Sequence, residues 1–147
     1  MTLPSLTGPL TGMHDGTLTS VAVSEGEAVL GLVHVDGRRF CLQLSGVEAL
    51  LLDDFRESNI VSELQVVTGP KFEEVGLSPG DVRSTFELLF TRPHPDAAHE
   101  YHEAYENALD TQIGRLEEGS MQLVILDPAY GADLVAFCAS VDLVPLP

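Results

Sequence analysis

The densest group of chemically capable side chains in this chain is His94, His99, Glu100, His102, Glu103 and Glu106. On a helix, His99 and Glu103 stand four residues apart, as do His102 and Glu106, so imidazole and carboxylate could converge on a Zn²⁺-like ion. The expected orientation argues against an enzyme centre. With Tyr101 at the middle of the buried stripe, a turn of about 100° per residue sends His99, Glu103, Glu106 and Asp110 toward solvent, with His102 nearer the flank. A catalytic metal works in a dry, shaped cavity, which a solvated face does not offer. Neither HExxH nor its inverse is present. A metal-binding or metal-assisted role for His99, His102, Glu103 and Glu106 therefore stands as the alternative reading, and a solvated helix face as the first.

Other candidates are weaker. His14-Asp15 suggests an imidazole oriented by a carboxylate, but neighbours on an extended chain point to opposite faces, so Asp15-Gly16 is read as a turn. Cys41 and Cys138 are the only cysteines, lack CxxC spacing, and fall on the less apolar registers of their strands; two reduced, half-buried thiols are expected. Tyr130, in a turn-rich stretch, could anchor a partner or pack on its own sheet. A phosphate loop, a dinucleotide fingerprint, a nucleophile elbow and an EF-hand loop are all missing. No catalytic residue and no cofactor is assigned.

Charge narrows the partners. Seven basic residues against 23 acidic ones give the 147-residue chain a net charge of −16, and Lys71 is its only lysine. Such a surface repels nucleic-acid backbones and anionic lipid, and suits a basic protein partner, a cation or simple solubility. The segment 96–118 holds seven carboxylates against the single Arg115, a net of minus six. Glu100, Glu103, Glu106 and Asp110 on that segment, with Tyr130, are the expected partner-binding residues, and electrostatic steering their expected contribution. A homo-oligomer remains open. The N-terminus has no basic region followed by an apolar run, and no segment has the length of a membrane span, so a cytoplasmic location is expected.

The elements that must position these groups follow from periodicity. At 44% hydrophobic and 20% charged residues, the chain has the composition and length of one globular domain, 1–147, with 1–13 as an irregular arm. Strands are predicted over 17–23, 28–35, 39–44 and 60–67, with Asp36-Gly37 as a hairpin turn. The type of 46–52 is left open. Ser78-Pro79-Gly80-Asp81 starts a helix over about 79–90; a strand over 85–91 competes, because Phe86, Leu88 and Phe90 alternate. The clearest helix runs over about 95–118, with Tyr101, Tyr105, Ala108, Leu109, Ile113 and Leu116 as its buried stripe. Strand 121–126, a loop at 127–131 and a last strand over 134–144 close the chain, the last with Val135, Phe137, Ala139, Val141 and Leu143 inward. Strands followed by helices and a closing hairpin predict an α+β domain, with an antiparallel sheet of about six or seven strands and two helices packed on it.

Met13-His14-Asp15-Gly16 before the first long strand, Gly46-Val47, Asn59-Ile60, and Pro128-Ala129-Tyr130-Gly131 before a strand bearing Cys138 together resemble a loose set of small bacterial proteins. Some of these are immunity-type partners of toxins. The resemblance implies a β-rich α+β fold and a protein-binding role in which an acidic face meets a basic toxin. It carries over no catalytic residue. A non-enzymatic, acidic protein-binding module of immunity or inhibitor type is thus the leading expectation.

Overall fold

The computed structural model describes residues 8–9, 13–69 and 78–147. Most of the expected arm, the loop beyond Gly69 and Lys71 lie outside them. The architecture is α+β: antiparallel sheet with two helices on one side. In chain order the elements are β1 (Gly8–Pro9), β2 (Thr17–Ser24), β3 (Glu27–Val33), β4 (Arg39–Ser45), β5 (Ala49–Asp53), β6 (Ile60–Val67), α1 (Pro79–Leu89), α2 (His99–Glu117), β7 (Gln122–Tyr130), β8 (Asp133–Cys138) and β9 (Ser140–Pro145).

The sheet order is β5-β8-β7-β6-β2-β3-β4-β9, with β1 also on β6. β4 leads within a few residues into β5, β8 leads through Ala139 into β9, and the two runs pair with each other, β4 on β9 and β5 on β8. The two ends of the sheet are therefore halves of one kinked strand pair, and the sheet curls back on itself. At the kink, Ala139 N–H donates to the Ser45 and Gly46 carbonyls at 2.9 and 3.2 Å. Gly46 has φ +63°, and a Cβ on it would lie 2.7 Å from that of Ala139, so only glycine fits this crossing.

Curling divides the apolar residues into two cores. Leu30, Leu42, Leu64, Val66, Leu126 and Leu134 represent the one enclosed by the sheet. The second lies between the outer face of the sheet and the helices, where Phe86, Leu109 and Leu116 meet Val67, Leu123 and Phe137. Leu123–Leu126 of β7 and Leu134–Cys138 of β8 are covered on both faces, and their alternate residues serve different cores. α1 resolves the helix–strand ambiguity at 82–90. The Ser78 hydroxyl accepts from Asp81 N–H and the Asp81 carboxylate accepts from Ser78 N–H, a complete capping box with Pro79 in the first turn.

Several expectations need correction. Nine strands, not six or seven, occur among the described residues, because 49–53 is a strand, the last strand is broken at Ala139, and Gly8–Pro9 adds a short one. Met13, assigned to an irregular arm, is buried in the enclosed core. β7 continues through the expected loop to Tyr130. The expected inward set of the last strand is half reversed: Leu134, Ala136 and Cys138 enter the enclosed core with Val141, whereas Val135 and Phe137 face the helices. Cys138 is therefore fully buried, not on a less apolar face, and burial pushes its thiol up to about 12. Cys41, in β4, is buried too, and both cysteines are free. Helix α2 starts at His99 rather than near 95, after a turn at 95–97, with no side-chain cap from Ala98.

Candidate interaction surface

Rotation of α2 decides what its charged face can do. Its inward positions are Tyr105, Leu109, Ile113 and Leu116. Tyr105 O–H donates to the Phe90 carbonyl at 2.8 Å, fixing the helix to the end of α1. On a helical wheel this stripe centres about 75° from Tyr101, the expected middle, which turns Tyr101 outward. Tyr101 is 60% exposed and Ala108 is exposed as well, both against expectation.

The metal group of the alternative reading is not brought together. His99 Nε2 lies 3.9 Å from Glu103 Oε2, on side chains 91% and 67% exposed. Glu106 is instead engaged by Arg83 of α1, whose guanidinium also donates to Asp110 Oδ1 at 2.8 Å. His102 is half-buried in a cleft beside Arg92, Pro93, Pro95 and Tyr105. Among the described residues, no three His, Cys, Asp or Glu side chains are close enough to hold one ion. Of the expected partner-binding carboxylates on α2, Glu106 and Asp110 thus serve the helix–helix contact, and Glu100 and Glu103 remain exposed.

His14 and Asp15 approach more closely than an extended chain allows, with Nε2 and Oδ2 3.6 Å apart. Asp15 adopts φ 65°, and this left-handed turn brings the two side chains to one side. His14 Nδ1 lies 2.7 Å from the Ser62 carbonyl, and both side chains are exposed.

A different carboxylate group is built by the sheet. Glu63 pairs with Asp127 across β6 and β7, and Asp133 pairs with Asp53 across β8 and β5. Because Leu126 pairs with Leu134, Asp127 and Asp133 are next in line across β7 and β8. All four alternate with residues of the enclosed core and so stand on its outer face, the face that carries the helices further along. They form a carboxylate row four strands wide. Behind it on the same face runs the row Leu51, Val135, Ile125 and Gln65, in which Leu51 is exposed and the Gln65 side-chain oxygen is buried without a hydrogen-bond partner among the described residues.

This row has no basic counterweight among the described residues. Arg38 pairs with Asp36, Arg56 with Asp54, Arg83 with Glu106 and Asp110, Arg92 with Glu87, and Arg115 with Glu48. Arg39 donates to the Pro147 carbonyl. Partial burial, then the negative charges of Asp133 and Glu63, raise the Asp127 carboxyl above its ordinary range. No family model matches the chain. No curated protein and no solved structure matches it either.

The raised Asp127 carboxyl sets a sign for pH dependence. The folded protein holds this proton to higher pH than the unfolded chain does, so the group withdraws stability as pH rises through its titration. Asp127→Asn is expected to raise the denaturation midpoint at neutral pH, with the gain vanishing below the ordinary carboxylate range. Urea melts at neutral and acidic pH check it; a gain independent of pH would show that charge is not its origin.

The end of the row is held by a pinned loop. Asn59, 1% exposed, ties 54–59 to the start of β2 and to the β7–β8 turn. Beside it Arg56 lies 5.4 Å over the Tyr130 ring and donates to the Tyr130 hydroxyl at 3.4 Å. Tyr130 is exposed at the end of β7, paired with Ile60. Strand order alone juxtaposes the four carboxylates. In the sequence, Asp53 reads as a loop residue, Glu63 as one outward position, and Asp127 and Asp133 as flanks of a turn.

Proposed function

We propose that this chain is a non-enzymatic binding protein for a basic protein partner, of inhibitor or immunity type, and that the carboxylate row on the outer sheet face carries the contact. The observation behind this reading is the row Asp53, Asp133, Asp127 and Glu63, which lacks a cationic side chain among the described residues while every described arginine is engaged elsewhere. Like charges side by side on neighbouring strands destabilise the free sheet. A partner's lysines and arginines would relieve that repulsion on binding, giving fast, salt-sensitive association. Leu51, exposed behind the row, adds an apolar contact at its edge. The long helix contributes a second, more solvated negative field through Glu100 and Glu103.

The test compares two variants of the full chain, one with the row neutralised (Asp53→Asn, Glu63→Gln, Asp127→Asn, Asp133→Asn) and one with the helix neutralised (Glu100→Gln, Glu103→Gln). Partners captured from the source cells by cross-linking are identified, produced separately and titrated at several salt concentrations. The expected result is a basic partner whose affinity and salt slope both fall with the row variant and change little with the helix variant. The reverse pattern would move the contact to α2. Identical affinity and salt slope for both variants and the wild type would remove the electrostatic account.

A further inference from the structure

Among the described residues, strand β2 is paired along one edge for most of its length, and along the other only at its start. Its register with β3 runs from Thr17↔Val33 to Ser24↔Glu27, whereas its pairing with β6 stops at Thr17↔Ile60. Leu18 N–H still donates to the Asn59 carbonyl, and from Thr19 onward no described residue pairs with the second edge. The two-residue turn at Glu25-Gly26 makes Ser24↔Glu27, Ala22↔Val29 and Ser20↔Gly31 the bonded pairs with β3. The backbone N–H and C=O groups of Val21 and Val23 consequently point off the open edge. Val23 is 63% exposed, and most side chains of this stretch are exposed with it.

Composition does not defend this edge. Thr17–Ser24 carries no charge and no proline in a chain of net charge −16. Open edges of that kind pair with other chains unless charge or proline blocks them. Alongside it, Thr19, Ser20, Val21 and the exposed ring of Phe55 line a cleft of about 260 Å³, sized for one side chain. Carboxylates flank both ends: Glu25 and Glu27 at the hairpin tip, and Glu57 in the loop that carries Phe55, where Asp54 is already paired with Arg56.

We infer that the open edge of β2 binds an extended, lysine- or arginine-bearing segment of a protein partner as an added antiparallel or parallel strand, one of its apolar side chains entering the cleft beside Phe55. Backbone hydrogen bonds to Val21 and Val23 supply the pairing, and the flanking carboxylates select basic residues. A second copy of this chain is the poorer occupant, since it brings another net −16 and its own Glu25 and Glu27 to the same edge. The inference rests on the proposed basic partner for the sign of charge, and adds the partner's backbone conformation and a separate surface.

Nuclear magnetic resonance on the isotopically labelled full chain tests it, with three short peptides as probes. One alternates lysine and valine, one alternates glutamate and valine, and the third is the lysine–valine peptide N-methylated at alternate residues. The first is expected to shift the amides of Thr19–Ser24 and Phe55 and to slow exchange at Val21 and Val23. N-methylation, which removes backbone donors and leaves every charge in place, should weaken binding by about tenfold, and the glutamate peptide should not bind. Val23→Pro deletes an outward N–H that β3 does not use, so it should remove the first peptide's binding while thermal unfolding stays cooperative.

Equal binding of the N-methylated peptide would overturn strand addition while leaving recognition of basic charge intact. Equal binding of the glutamate peptide would overturn the charge assignment. Amides of Val21 and Val23 already slow in the free protein, with a dimer by light scattering, would give the edge to a second copy. Edge binding unchanged in the row-neutralised chain would separate this inference from the proposed role of the carboxylate row.

Discussion

Asn59→Ala is expected to destabilise the protein by roughly 3 kcal/mol or more, although it deletes only one small polar group. The Asn59 amide is saturated. Its nitrogen donates to the Leu18 and Arg56 carbonyls at 3.2 and 2.8 Å, and its oxygen accepts from Arg56 and Ala132 N–H at 2.8 and 3.0 Å. Truncation would strand two backbone donors and two backbone acceptors where the side chain is now 1% exposed. Three segments lose their tie at once: the start of β2, the loop 54–59 and the β7–β8 turn.

Asn59→Asp discriminates between hydrogen bonding and mere filling of space. A carboxylate keeps both acceptors, loses both donors and buries a charge, so the variant should be worse than wild type at neutral pH and recover partly on acidification, when a neutral carboxyl can donate once. Urea midpoints across pH measure this. A loss below about 1 kcal/mol for Asn59→Ala would mean that water satisfies the four backbone groups. Gly131 belongs to the same lock: it has φ +86°, and a Cβ there would lie 2.5 Å from the Asn59 side-chain oxygen.

Local rules made the elements legible, and the closure of the sheet hid the rest. Alternation at Phe40, Leu42 and Leu44 and the capping sequence Ser78-Pro79-Gly80-Asp81 identify a strand and a helix without help from tertiary contacts. Pro128 misleads, because a proline normally ends a central strand. It is tolerated opposite Val61, where the β6–β7 register shifts and the ladder is already irregular. The last strand misleads for another reason. β8 is buried on both faces, so every residue from Leu134 to Cys138 is apolar and the pattern cannot say which face is inner. The break at Ala139 then changes parity, joining Val141 to the face of Leu134 and Ala136.

The candidate surface was less legible than the fold. Histidine and carboxylate spacing on α2 drew attention because a helix brings residues four apart together, yet Arg83, from another element, decides what Glu106 and Asp110 do. The carboxylate row joins positions 53, 63, 127 and 133, and no local rule predicts that β8 lies between β5 and β7. Edge vacancy on β2 is hidden for the same reason. Its eight residues read like any half-buried strand, and only the point at which β6 begins shows that no described residue pairs with the second edge beyond Leu18.

The other large effect is expected at Phe137, where Phe137→Ala should cost about 3–5 kcal/mol. Its ring meets Phe86 edge-on at 5.0 Å between centroids and Phe90 at 6.1 Å, and the Arg115 guanidinium carbon lies 5.9 Å from its centroid. Arg115 in turn grips both oxygens of Glu48 at 3.0 and 2.6 Å, and Glu48 N–H donates to the Phe137 carbonyl at 2.9 Å. One aromatic residue thus joins α1, the end of α2 and the kink between β4 and β5. Removing the ring opens a cavity in the second core that helices anchored by only a few large side chains refill poorly. Phe137→Leu should lose less, because much of the volume remains. Guanidinium unfolding should show the midpoint falling with an unchanged slope if both cores melt together. A reduced slope, with β7 and β8 amides still protected, would instead show the helices leaving before the curled sheet, making the second core a separate folding unit. Because Asp133 and Asp127 stand on the same two strands, that outcome would also predict a carboxylate row still able to bind after the helices are lost.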